Sequence, residues 1–444
     1  MAKKPIDAIR DAGIVGAGGA GFPTHVKLSA KVDTVIVNGA ECEPLLKVDQ
    51  QLTALRAEEV VAGLEIALEL TGAERGIIAL KAKYKAAIEA LTPLIEGKDN
   101  ISIELLGNFY PAGDEQVLVY EILGRIVPEG GIPLEVGVVV QNVGTLINIA
   151  KAVKDDAPVT SRALTVAGAV AEPMTVEVPI GTSLRELVAI AGGPTDEPYG
   201  VIVGGPMMGK VETDLDTPID KTTSGIVVLP SDHPLILKKQ DDMSRKLKLA
   251  RAACIRCSLC TQTCPRSLLG HHLWPDRLMR AMAYNVTCDP SDLTNAFLCV
   301  ECGVCTTYAC PMGLDPCAMN REIKARLAKE GLDNPHRAKE LTPNQYRSTR
   351  KIPTYRLVGR LGLLEYDREA PVRAVDHIVR KVRIPLKQHI GAPAKTTVIV
   401  GDTVKEGDVI AEIPDGSLGA RVHASIAGRV TKILDHIEIT AEEK

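Results

Sequence analysis

The 444 residues predict a multidomain α/β protein, and three observations carry that expectation. The first is length, since one hydrophobic core stops growing well short of it; about two to four domains follow. The second is an N-terminal alternation of short β-rich runs with helical periodicity, the pattern of a mostly parallel sheet covered by helices. The third is the change of pattern behind it. A β-hairpin gives way to a cysteine-dense helical stretch, then to short β runs broken at Gly-Asp turns. The expected divisions are 1–155 for the parallel α/β domain, 156–240 for a small β domain and 241–335 for the cysteine domain. A basic linker, 336–370, then leads to a small β barrel-sandwich at 371–444.

Composition removes several function classes. Hydrophobic residues at 45% and charged residues at 24% are ordinary for a globular chain. The net charge of −4 leaves no excess of Lys and Arg to neutralise phosphates, and aromatics at 3% offer few stacking platforms. No nucleic-acid partner is expected. Residues 1–11 lack the apolar core of a signal peptide, and runs such as 136–140 are far too short to span a bilayer. The expectation is a soluble, cytoplasmic protein.

In chain order, 6–13 reads helical, and Gly16-Ala-Gly18-Gly19-Ala-Gly21-Phe22-Pro23-Thr24-His25-Val26-Lys27 follows. Gly16, Gly18 and Gly21 satisfy G-x-G-x-x-G, but the dinucleotide fingerprint follows a strand and opens a helix. Here a helical run precedes it and Pro23 comes too soon, so the domain is Rossmann-like only in its sheet. The chemistry remains: clustered glycines let backbone N–H groups approach a phosphate or flavin ring, and Lys27 adds positive charge. A flexible loop is the bland alternative. Strands are expected at 34–37, 76–80, 101–106 and 135–140, with helices at 54–70 and 84–95. Three polar segments, 38–44, 110–115 and 141–145, fall at strand ends, where open α/β sheets place their ligands. Taken singly, each reads as a solvated loop or helix cap.

Residues 162–179 read as a hairpin, 183–191 as a helix and 200–203 as a strand; Met207 and Met208 in the turn after it read as core filling. Cys254, Cys257, Cys260 and Cys264-Pro265 follow, then Cys299, Cys302, Cys305 and Cys310-Pro311. Three thiols at two-residue gaps wrap one face of a cubane, and the fourth, before proline, ligates the other cluster. That spacing predicts Cys254, Cys257, Cys260 and Cys310 on one [4Fe–4S], and Cys299, Cys302, Cys305 and Cys264 on the second. Zinc favours paired knuckles, and disulfides favour short secreted chains. Four residues separate Cys305 from Cys310 where the bacterial pattern has three, so that loop must bulge by one. Cys42, Cys288 and Cys317 are left over, with Cys317 a spare ligand ranked behind Cys310. His271 and His272 read as supporting or surface groups, and Arg266 as a charge able to raise a cluster's potential. The turn at 415–420 lacks the lysine a swinging-arm carrier would need.

The segments 16–27, 38–44 and 142–146 resemble the FMN- and NADH-binding domain of the complex I flavoprotein subunit. They resemble more closely the family that joins the C subunit of the Rnf electron-transport complex with the cobalamin reductase of propanediol-utilising microcompartments. Residues 156–240 resemble its SLBB (soluble-ligand-binding β-grasp) module, read here as a spacer, and 371–444 its barrel-sandwich module. That module closes this chain, the order of the cobalamin-reductase branch. The resemblance implies FMN contacts at Gly16, Gly18, Gly19, Gly21, Lys27, Asn38 and Asn142. It implies Asp114 and Glu115 near flavin and nicotinamide, Glu43 as a nucleotide-side carboxylate and Phe22 as a stacking ring. Ala40 and Ala30 replace an acidic and an aromatic residue of the complex I flavoprotein, which favours FMN over NADH. The implied function is an NADH-dependent flavin/iron–sulfur oxidoreductase with FMN and two [4Fe–4S] clusters. Its acceptor would be a corrinoid or an electron-acceptor protein, its partner an adenosyltransferase, and its place a bacterial microcompartment. The alternatives are a relay protein docked on a membrane Rnf-like complex, or an electron donor resembling the proline-reductase relative.

Overall fold

The computed structural model describes residues 3–286, 291–374 and 377–442. Cys288 lies outside them. The N-terminal domain is built on four parallel strands in the order Ile101–Leu106, Arg75–Lys81, Thr34–Gly39 and Val138–Asn142. Val35, Ile36, Val37 and Val138, Val139, Val140 are all buried, as expected of β-branched runs covered by helices on both faces. The expected helix at 54–70 is two helices, Val48–Leu55 and Ala57–Thr71, broken at Arg56, whose backbone leaves the helical region. The expected strand at 135–140 begins instead as a 3-10 turn, Pro133–Val136.

Ala57–Thr71 packs on Val143–Asp155 so closely that a Cβ on Gly63 would stand 2.2 Å from the Leu146 carbonyl oxygen. Only glycine allows this crossing. Gly63→Ala is expected to lower stability by at least about 2 kcal/mol, because neither backbone can withdraw without opening the core between them. A denaturation midpoint unchanged from the parent would refute that reading.

The second domain is a five-stranded mixed sheet, ordered Met174–Pro179, Ser161–Gly168, Gly225–Pro230, Tyr199–Val203, Lys210–Glu212. The helix Leu184–Ile190 lies against it, capped by the Ser183 hydroxyl. The cysteine domain packs Met243–Ala253, Pro275–Tyr284 and Pro316–Lys329 around short turns. The C-terminal domain consists of two small antiparallel sheets, with no closed barrel among the described residues.

Residues 336–370 are not a bare linker. Ile352–Pro353 pairs antiparallel with Phe109–Tyr110, and the helix Thr354–Arg360 buries Leu357 and Val358 beside Tyr110 and Cys302. The segment straps the N-terminal domain to the cysteine domain. Several of its basic residues anchor it too, Arg347 and Lys351 on Glu121 and Arg368 on the carbonyls of Gly168 and Val170, so in sequence the charges mask a docked segment.

Three domains meet at Lys221, a fully buried lysine of the second domain. Its Nζ donates to the carbonyls of Gly13 and Arg421, both at 2.7 Å. Burial pushes its pKa from 10.5 down to about 7. Between those values the unfolded chain binds the extra proton, so this group's contribution to stability rises with pH from about 7 to about 10.5. Comparison of urea midpoints across that range should show a steeper rise for the parent than for Lys221→Met. Equal slopes would exclude the assignment.

Candidate cofactor sites and the path between them

The two cysteine loops share one backbone conformation. Arg256 and Ser258 have φ of 57° and 58°, and Glu301 and Gly303, at the same offsets, have 60° and 76°. Left-handed Arg, Ser and Glu are uncommon and cost energy, so each persists only where a loop requires it. Such alternation points successive amides inward, the nest geometry found around many iron–sulfur sites. The helix Leu259–Gln262 carries the first loop on to Cys264. A π-helical turn, Cys305–Ala309, carries the second on to Cys310. A π turn is one residue wider than an α turn, and it absorbs the extra residue before Cys310.

Cys254, Cys257, Cys260 and Cys310 line one hollow. Cys264, Cys299, Cys302 and Cys305 line another, and Cys317 joins them, near enough to bond the thiols of Cys299 and Cys305. Cys317 is thus a neighbour of the second set, not a rival of Cys310. Among the described residues no three His, Cys, Asp or Glu groups converge at single-ion spacing; these thiols surround space. Burial pushes Cys260 up to about 12 and Cys264 up to about 11, so these sulfurs ionise only if a bound metal supplies the charge. Amides of Ser267 and Arg266 reach Cys264, and Leu314 N reaches Cys310 Sγ at 3.4 Å. The donor set suits two four-iron clusters.

The hollows differ in exposure. Cys299, Cys302 and Cys305 are buried, whereas Cys257 is exposed and Cys254 half-buried. Ile255 and Met312, both exposed, rim the outer hollow. His271 is buried with its Nε2 3.1 Å from the Val127 carbonyl oxygen, and burial holds it neutral at a pKa of about 4. His272 pairs with Glu129, so neither histidine lines a thiol hollow.

The glycine loop rises beyond the carboxyl ends of Thr34–Gly39 and Val138–Asn142. Gly18 faces the Asn142 side chain, and Gly19, at φ +104°, has open space where a Cβ would be. Gly16 N donates to Phe22 O, closing the loop, and Gly21 O accepts from Ile390 N of the C-terminal domain. Lys27 Nζ donates to Val140 O at 2.6 Å and pairs with Glu115 at 3.1 Å. Asn38 Nδ2 donates to Gly113 O, and Asn142 caps the helix Val143–Asp155 while donating to Asp49. An exposed loop of amides, a lysine and two asparagine amides at adjacent strand ends is a donor set that fits a flavin phosphate and ring.

Two sequence candidates point elsewhere. Both Glu43 oxygens accept from backbone amides of the second domain, Met207 N at 2.8 Å and Met208 N at 2.9 Å. Asp114 caps the helix Glu115–Leu123 and takes a bidentate bond from Arg266, at 2.7 and 3.0 Å. Arg266 in turn follows Cys264 and Pro265, so its charge is matched by a buried carboxylate and does not stand free at a cluster. Sequence reasoning passed over Arg162, which is buried and bonds Ala17 O in the glycine loop and Thr223 O. It also passed over Asp49, raised to about 6 by burial; its neighbour Glu41, part of the 38–44 segment, is raised well above the carboxylate range by burial. The inward-facing Arg in an otherwise apolar strand was the available signal. Tyr110 is a further link: its hydroxyl donates to Cys302 O at 2.7 Å.

No helix among the described residues is long and apolar enough to cross a membrane. Residues 9–151 match the family model of the Nuo51 FMN-binding domain, 164–211 the SLBB domain, 253–315 the 4Fe-4S dicluster domain and 365–444 the RnfC barrel sandwich hybrid domain. Cobalamin reductase PduS of Citrobacter freundii is 48% identical over 97% of this chain and 94% of its own length. The Salmonella typhimurium protein of that name is 48% identical over 96% and 94%. The C subunit of the proton-translocating ferredoxin:NAD(+) oxidoreductase complex of Clostridium ljungdahlii is 41% identical, over 60% of this chain and 56% of its own. An FMN domain and a two-cluster domain in one chain make it an oxidoreductase with FMN and iron–sulfur cofactors, and with that likeness along nearly its whole length it belongs to the cobalamin reductase PduS family.

Proposed function

We propose that this chain is an NADH-dependent reductase that passes electrons by way of FMN and two [4Fe–4S] clusters to a corrinoid. The acceptor follows from what its PduS relatives are named for. When bound, FMN supplies the conversion between a two-electron donor and one-electron carriers. Gly16, Gly18, Gly19, Gly21, Lys27, Asn38 and Asn142 hold the flavin, and Phe22 flanks its entry. Glu115, 46% exposed beside Lys27, is the carboxylate left for the nicotinamide nucleotide, since Asp114 and Glu43 are engaged. Cys264, Cys299, Cys302 and Cys305 form the flavin-side set; Cys254, Cys257, Cys260 and Cys310 form the outward set.

One observation carries this order. Tyr110 and Asp114, on either side of the 110–115 loop, bond directly to Cys302 O and to Arg266, which sets the flavin domain against the buried thiol set. Exposure of Cys257 supports the outer set as the place where electrons leave. The proposed divisions are 1–155, 156–240, 241–335 and 371–444, the second of β-grasp and the last of barrel-sandwich kind, with 336–370 a structural strap. Residence in a microcompartment, with an adenosyltransferase as partner, rests on family resemblance.

Anaerobic titration of the holoprotein with NADH tests the reading. Flavin and iron–sulfur absorbance should both bleach, and cob(II)alamin added afterwards should restore them as it is reduced. If NADH bleaches neither chromophore, the reductase reading fails and a relay role in a larger complex replaces it.

A further inference from the structure

A cavity of about 240 Å³ opens between the second domain and the cysteine domain, outside the sites described above. Its walls share Gly303 and Cys317 with the flavin-side thiol hollow, so an occupant would lie against that cluster's loop. Its charges are unbalanced. Lys246 pairs with Asp315 at 3.0 Å and Arg321 with Glu301 at 2.7 Å. Lys210, Lys238 and Lys239 also line it, and among the described residues none of the three makes an ion pair. Lys238 Nζ donates to Thr306 O, and Lys239 Nζ to Met207 O and Gly209 O. An ammonium has three N–H donors, so two remain on Lys238 and one on Lys239. The nearby Glu43 carboxylate accepts from Met207 N and Met208 N and forms no ion pair with either lysine among the described residues. Burial lowers the pKa of both lysines, and the carboxylates of Asp315 near Lys238 and Glu43 near Lys239 only partly offset it.

We propose that this cavity binds the phosphate group of a small ligand, with Lys238 and Lys239 as its donors and Lys210 at its mouth. Adjacent ammonium donors on a cavity wall recognise phosphate as point charges. The volume admits a pyrophosphate or the phosphate-bearing end of a larger molecule; whole-ligand pockets usually start near about 300 Å³. The ligand is either a free nucleotide or a corrinoid carrying a nucleotide tail. Only the second source rests on the function proposed above.

Calorimetric titration of the FMN- and cluster-loaded protein with inorganic pyrophosphate tests the site. Saturable binding is expected, weakened roughly 30-fold by Lys238→Gln with Lys239→Gln, the scale for losing a buried charge-assisted contact. Lys210→Glu, at an exposed position, should weaken it several-fold with cluster EPR signals unchanged, which separates ligand loss from misfolding. No saturable binding, or equal affinity in all three proteins, overturns the proposal. Displacement by cobalamin but not by cobinamide, which lacks the phosphate tail, identifies a corrinoid. Displacement by ADP alone identifies a nucleotide, and displacement by none of them contradicts the ligand class.

Discussion

Cys310→Ala should abolish the cluster of Cys254, Cys257 and Cys260 and leave the other in place. Iron content should fall from about eight to about four atoms per chain, with one set of EPR signals lost. The π turn Cys305–Ala309 carries Cys310 away from its own loop and into the opposite hollow. No fifth thiol lines that hollow among the described residues, so nothing replaces the missing ligand. Cys264→Ala should behave differently, because Cys317 already stands among Cys299, Cys302 and Cys305. Partial retention of the second cluster is expected there, with complete loss only when Cys317→Ala is added. If Cys310→Ala removes the second cluster alone, the crossed ligation is wrong.

Asp114→Ala should be among the most destabilising single changes in the chain. The carboxylate bonds two helix amides, Gln116 N and Val117 N, and the two terminal guanidinium nitrogens of Arg266, with side chains only 14% and 5% exposed. Breaking one side of a buried pair costs about 3–5 kcal/mol, and losing a cap about 1 kcal/mol. The combined loss is expected near about 4 kcal/mol, since the two overlap. Asp114→Asn keeps much of the cap and isolates the pair, at about 3 kcal/mol. Anaerobic urea denaturation of the loaded protein measures both. A loss below about 1 kcal/mol in each would show that the flavin-like and cysteine domains are joined by something else.

The parallel sheet was legible because β-branched runs alternate with helical periodicity, a local pattern that burial on both faces enforces. The thiol spacing already sends Cys310 to the first loop and Cys264 to the second, since a loop of fixed length reaches only so far. The one-residue surplus before Cys310 announced a bulge, and the chain makes it as a π turn. What was not legible depends on contacts distant in sequence. Glu43 and Asp114 look like ligand-facing carboxylates until Met207, Met208 and Arg266 arrive from other domains. Nothing in the sequence around Lys221 marks it, yet it is buried where three domains meet. The strap at 352–360 was hidden because its few anchoring side chains sit among basic residues with no repeating period.

The proposed order puts the fully buried thiol set on the flavin side and the set holding exposed Cys257 on the acceptor side, and everything proposed about electron flow depends on it. Rapid-freeze EPR after mixing NADH with the parent protein and with Cys310→Ala tests it most directly. The cluster of Cys264, Cys299, Cys302 and Cys305 should be reduced at similar rates in both proteins. Only the parent should go on to reduce cob(II)alamin at an appreciable rate. If the remaining cluster of Cys310→Ala stays oxidised while its flavin bleaches, the order of the two sets is reversed.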